Sequence, residues 1–161
     1  MPPPEPRLSH VRPQGGVRMV SVSDKPATVR TAGASARVHI GAAALRTLRR
    51  GGGAKGEVLE IARIAGIMAA KRTWELIPLC HPLPLTGIEL EARYIRDGIV
   101  LRSQVSTTAT TGVEMEALTA VSVAALTVYD MAKALGHDIT FAVQLEYKSG
   151  GRSGSWKRPR R

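Results

Sequence analysis

The order in which the hydrophobic period changes along this chain limits what it can fold into. Ala34, Ala36, Val38 and Ile40 alternate with Ser35, Arg37 and His39, the period of two that turns one face of a strand toward a core. Gly41 to Arg50 reads as a helix. After the Gly51, Gly52, Gly53 break, Gly56 to Arg72 carries Val58, Ile61, Ala62, Ala65 and Ala69 at helical spacing. Pro78, Pro82 and Pro84 then forbid a regular helix, so Trp74 to Leu85 is expected to be extended and stiff. Ile88, Leu90, Ala92 and Tyr94 alternate with Glu89, Glu91 and Arg93. Asp97 and Gly98 supply a turn, and Ile99, Leu101, Ser103 and Val105 begin the return strand. From Gly112 to Leu135 the period is helical again, with Gly136 as a stop, and Ile139 to Tyr147 alternates as a last strand.

Strand, helices, strand, strand, helix, strand is the order of the split βαβ arrangement. The expected class is therefore α+β, a ferredoxin-like antiparallel sheet with helices packed on one face. Such a sheet leaves its other face uncovered, which points to a homo-oligomer.

The 161 residues suit one domain, expected over 17–154. Residues 1–16 hold five of the ten prolines and are expected to be a disordered Pro-rich tail. Residues 155–161 read as a basic C-terminal tail that is loose unless Trp156 docks. No uncharged apolar run approaches the roughly 18 residues that span a bilayer, and Cys80 alone cannot form an intramolecular disulfide, so a cytoplasmic protein with no membrane contact is expected. The net charge of +10, from 23 Lys plus Arg against 13 Asp plus Glu, favours an anionic partner. Nucleic acid and polyphosphate both qualify. With aromatics at only 4%, a strand surface for stacking bases is lacking, so nucleic acid is the less expected of the two.

Four places could carry chemistry. Lys148 to Gly154 follows the last strand directly and combines Lys148 and Arg152 with Gly150, Gly151 and Gly154, a composition suited to gripping phosphate or to a flexible basic tail. It lacks the spacing of a P-loop. His81, confined with Leu79 and Cys80 between Pro78 and Pro82, is the general acid/base candidate, against the plainer reading of a solvated imidazole. No histidine shares metal-ligand spacing with Cys80, so no metal is expected. Thr111 and Glu114 have capping-box spacing, so Glu114 is either a helix cap or, with Glu116, one of two paired carboxylates if that stretch is extended. Asp130 and Lys133 share a helix face, either as an ordinary surface pair or as an oriented acid/base pair if buried. Lys55 and Arg30, taken singly, are ordinary surface cations.

Taken together, Ile64-Ala65-Gly66-Ile67, Ala69-Ala70-Lys71-Arg72-Thr73, Leu76 to Leu83, Thr111 to Leu118, Ala124 to Met131 and Lys148-Ser149-Gly150-Gly151 resemble the MoaC family. The resemblance runs from about Arg18 to Trp156, and these blocks in this order are far more specific than any one of them. It implies cyclic pyranopterin monophosphate synthase activity in molybdenum cofactor biosynthesis, a lyase reaction on a cyclised dihydroguanosine triphosphate that expels pyrophosphate, with no cofactor. It also implies a hexamer, a trimer of dimers with active sites between subunits. Position by position, the family's substrate contacts fall on Leu79, Cys80, His81, Met115 and Glu116, its aspartate on Asp130, its lysines on Lys55, Lys133 and Lys148, and its N-terminal arginine on Arg30. Glu114 completes the acidic cluster. Ser21, Thr110 and Arg152 stand where members commonly have Asp, Lys and Lys, and at Arg152 a planar fork replaces a point cation. Two rival readings are a small basic nucleic-acid-binding module and an inactive scaffold of the same fold.

Overall fold

The structure, a computed structural model, describes residues 8–50 and 57–159. Its elements are β1 (Thr28–Ile40), α1 (Ala42–Arg50), α2 (Glu57–Lys71), α3 (Thr73–Leu76), β2 (Leu85–Ile95), β3 (Gly98–Ala109), α4 (Glu114–Ala132), β4 (Ile139–Ser149) and β5 (Trp156–Lys157). A 3₁₀ turn, Lys133–Leu135, extends α4. The sheet order is β2-β3-β1-β4-β5 and every neighbouring pair is antiparallel. The four long strands thus have the ferredoxin-like order.

The core lies between the sheet and its helices. Ala32, Ala34, Ala36, Val38 and Ile40 of β1 are buried, as are Ala117, Ala120, Val121, Ala124, Ala125 and Val128 of α4 and Ile99, Leu101 and Val105 of β3. So many alanines allow α4 to lie close on the central strand. By length and composition α4 with its 3₁₀ extension could cross a bilayer, yet it is the core helix, and nine of its residues are buried.

Several boundaries differ from the expected ones. β1 begins at Thr28, six residues before the apolar alternation, because Thr28 to Gly33 pair in register with Ala109 to Gln104 of β3. Backbone pairing extends a strand where side chains give no sign of it. Trp74 to Leu76, expected to be extended, form the helical turn α3, and the chain becomes extended only at Ile77, with φ −109° and ψ 109°. Ile77 precedes Pro78, whose ring disfavours helical backbone at that position. The predicted helix from Gly112 starts at Glu114.

At the C-terminus Trp156 and Lys157 pair with Lys148 and Tyr147, Arg158 Nε donates to the Leu145 carbonyl at 2.6 Å, and the Arg158 guanidinium lies 5.7 Å from the Trp156 ring centre. Near the other end, Val11 and Val17 form an isolated antiparallel bridge.

Candidate active site

Three segments meet at one end of α4 around a pocket of about 330 Å³. The first is the proline-stiffened loop after α3, which contributes Leu79, Cys80, His81 and Leu83. Thr107 Oγ1 of β3 donates to the Pro84 carbonyl at 2.6 Å, and Cys80 N donates to the Ile77 carbonyl at 3.1 Å, so the loop is fastened to the sheet and closed on itself. The second is the β3–α4 junction and the first helical turn, with Thr111, Gly112, Glu114, Met115 and Glu116. The third is the segment before β1, with Ser9, His10, Val20, Val22 and Lys25.

Glu116 is only 4% exposed. Burial pushes its carboxyl up to about 7, and the negative charge of Glu114 adds to the shift against the opposing hydrogen bond from its own backbone. The Cys80 thiol is likewise raised, first by burial and then by Glu116. A carboxyl that changes charge near neutral pH can donate a proton or accept one, which is the property asked of a general acid/base.

The capping-box reading of Glu114 does not hold. Val113 is the residue before the helix and no side chain caps it. The Glu114 carboxylate is free to reach Lys148, whose Nζ is 3.5 Å from its Oε1. Glu114 and Glu116 both line the pocket although they are helical, because the pocket wraps around the start of the helix instead of lying along one face.

A second recess, about 290 Å³, adjoins the first and shares Lys25, Thr111, Gly112 and Glu114 with it. Arg30, Arg152 and Ser153 complete its lining along with Thr110. Arg30 is held in place: Nε donates to the Ala109 carbonyl at 3.1 Å and a terminal guanidinium nitrogen to the Thr110 carbonyl at 3.2 Å. Lys148 Nζ donates to Ser153 Oγ at 2.7 Å. Between them the chain turns through Gly150 and Gly151 at φ +93° and +73°, a left-handed backbone that favours glycine. A Cβ on Gly151 would overlap the Arg30 guanidinium, and one on Gly150 would overlap the Val29 carbonyl. The result is a cationic recess joined to a pocket with acid/base groups.

The sequence-predicted residues divide into three sets. Leu79, Cys80, His81, Glu114, Met115 and Glu116 line one pocket, with Arg30 and Lys148 beside it. Asp130 and Lys133 lie elsewhere: their side chains are 72% and 57% exposed and form an ion pair of 2.6 Å. The hydrogen bond from Lys133 to Asp130 holds the lysine above its ordinary range. Asp130 lies sixteen positions after Glu114, about 24 Å along a helix. Lys55 lies outside the described residues. Sequence reasoning missed Lys25, Ser9 and His10, which sit in a stretch without apolar period and come to the pocket only by folding back over it. Among the described residues, no three His, Cys, Asp or Glu side chains gather as a metal site would require.

Fold and site together define an α+β enzyme whose acid/base pocket opens into a cationic recess. The chain belongs to the MoaC family, whose model matches residues 19–151. It is 54% identical over 154 residues to a cyclic pyranopterin monophosphate synthase of Thermomicrobium roseum, an alignment covering 94% of this chain and 93% of that protein. Proteins of the same name from Streptomyces avermitilis and Brevibacillus brevis are 52% and 48% identical, covering 98% and 94% of this chain and 93% and 96% of theirs.

Proposed function

We propose that this chain is a cyclic pyranopterin monophosphate synthase of molybdenum cofactor biosynthesis, converting a 3′,8-cyclised dihydroguanosine 5′-triphosphate to cyclic pyranopterin monophosphate and pyrophosphate. The observation that supports this best is the junction at Glu114 between a buried carboxyl pocket and a recess lined by Lys25, Arg30 and Arg152. Base and sugar fit the first, where His81, Glu114 and Glu116 can pass protons. The triphosphate fits the second, which Lys25, Arg30 and Arg152 line and beside which Lys148 contacts Glu114 and Ser153 of that lining. Attack of a sugar hydroxyl on the innermost phosphorus forms one P–O bond as the P–O bond to pyrophosphate breaks. The hydroxyl proton passes to a carboxylate or imidazole, and the cations neutralise the charge on the leaving group.

Asp130 and Lys133 then act from a neighbouring copy. They are too far from Glu114 along α4 to share its pocket within one subunit, and as a preformed acid/base pair they are suited to exchanging protons with the purine-derived ring as it opens and recloses. Lys55 joins them in this reading. The assembly is a homo-hexamer, a trimer of dimers with active sites between subunits. Ile61, Ile64 and Met68 support association: spaced three and four apart on α2, all three are about half exposed, as is Leu126 of α4.

Purified protein incubated with the cyclised triphosphate should release pyrophosphate and form the cyclic pyranopterin phosphate in equal amounts. Salt-dependent nucleic-acid binding without turnover would instead support a basic binding module, and a folded oligomer with neither activity an inactive scaffold.

A further inference from the structure

Successive residues of a strand point to opposite faces of the sheet, and β4 breaks that alternation once. Its pairing with β1 runs from Ala34 and Leu145 to Gly33 and Tyr147, so Glu146 is an extra residue, a β-bulge. The Glu146 carboxylate accepts from Ser35 Oγ, and from Gln144 Nε2 at 2.9 Å, on the face of the sheet that bears no helix. Tyr147 turns to the same face, where its hydroxyl donates to Gln104 Oε1. Two consecutive residues share the open face, and Lys148 is thereby turned to the helix side, toward Glu114 and Ser153. Unbroken alternation from Glu146 would turn Lys148 away from the pocket.

Position 33 allows this because it carries no side chain. Gln104 is the β3 partner of Gly33, and Tyr147 reaches it by lying across the Gly33 Cα. A Cβ on Gly33 would overlap the ring, at 2.7 Å from Cζ and 2.9 Å from Cδ1. Gly33 is not among the glycines with positive φ, so the ring alone excludes a side chain there.

We propose that Gly33 is a positioning residue for the phosphate end of the site: its bare Cα seats the Tyr147 ring, the seated ring holds the bulge, and the bulge turns Lys148 into the pocket. This rests on the reading of Lys148 as a phosphate-holding cation.

The test is a double-mutant cycle on the full chain, with inorganic pyrophosphate binding measured by calorimetry and KM and kcat measured alongside. Gly33→Ala should weaken pyrophosphate about tenfold and raise KM by a similar factor while kcat changes less than about threefold. In a Lys148→Ala background the same substitution should cost less than about twofold, because the group it acts through is gone. Full additivity, or an unchanged affinity for Gly33→Ala alone, overturns the proposal and leaves the role of Lys148 intact. An unchanged affinity for Lys148→Ala overturns both. Deletion of Glu146 removes the bulge but keeps Tyr147 and Lys148 on their faces, so pyrophosphate affinity should stay within about threefold of the parent. A loss as large as that of Lys148→Ala would overturn the proposal even if Gly33→Ala does not fold.

Discussion

Replacing Glu116 by Gln should make the protein more stable at alkaline pH while changing it little at acid pH. The Glu116 carboxyl is raised from 4.5 to about 7 in the folded chain, mainly by burial. The native state therefore binds more protons than the unfolded state between those values, and stability falls as pH rises through that window and levels off above it. The difference of about 2.5 units, at about 1.36 kcal/mol per unit, corresponds to roughly 3 kcal/mol lost from this one group by pH 8. Glutamine has nearly the same shape and cannot ionise, so the variant should lack that loss. Other carboxyls, such as Asp97, which Arg37 holds low, shift the pH dependence of both proteins equally and cancel in the comparison. The assay is urea unfolding of parent and variant at pH 5 and pH 8 at one fixed protein concentration, since association also contributes to stability. The advantage of the variant should grow by about 2.5 kcal/mol between the two pH values, because at pH 5 most of the unfolded carboxyl has already ionised. Growth of less than about 1 kcal/mol would show that Glu116 is not held in a low-dielectric pocket, and the acid/base role assigned to it would lose its physical basis.

Asp130→Asn should lower kcat by at least about 100-fold without dissociating the oligomer, since an amide cannot accept the proton; near-normal turnover would remove Asp130 from the mechanism. Mixed oligomers of Asp130→Asn and Lys148→Ala subunits should regain a readily measured fraction of activity, because some sites then draw both intact residues from different copies. Activity no higher than in either variant alone would mean that the two residues do not meet across subunits. Arg152→Lys should change KM for the triphosphate by less than about fivefold, because a cation remains but its planar fork is lost; a change mainly in kcat would place Arg152 at the reacting phosphorus. Leu101→Ala, at a fully buried position of β3, should destabilise the fold by about 2 to 5 kcal/mol in a urea melt, and a cost under about 1 kcal/mol would show that this part of the core is not closely packed.

The alternation from Ala34 to Ile40 and the Asp97-Gly98 turn, between two alternating stretches, were enough to read the strand order and the α+β class, because burial of one face leaves its period in the residues. Where burial does not choose the residues, the reading falls short. Thr28 to Gly33 form half of β1 through backbone pairing that any residue can make, and the single turn of α3 is too short to show a period. The site divides the same way. His81 stands out because prolines flank it, and Lys148 because glycines follow, whereas Lys25, Ser9 and His10 have no local signature and reach the pocket by folding over it.

The residues alone determined that acid/base groups and cations are present in an order that, block by block, matches one family. Which of them meet was decided by the tertiary structure. The start of α4 raises Glu116 by burying it beside Glu114, and one extra residue in β4 sets the face on which Lys148 emerges. Neither effect is local: a pKa depends on the dielectric of everything packed around a group, and a strand's face on its register with a partner distant in the chain.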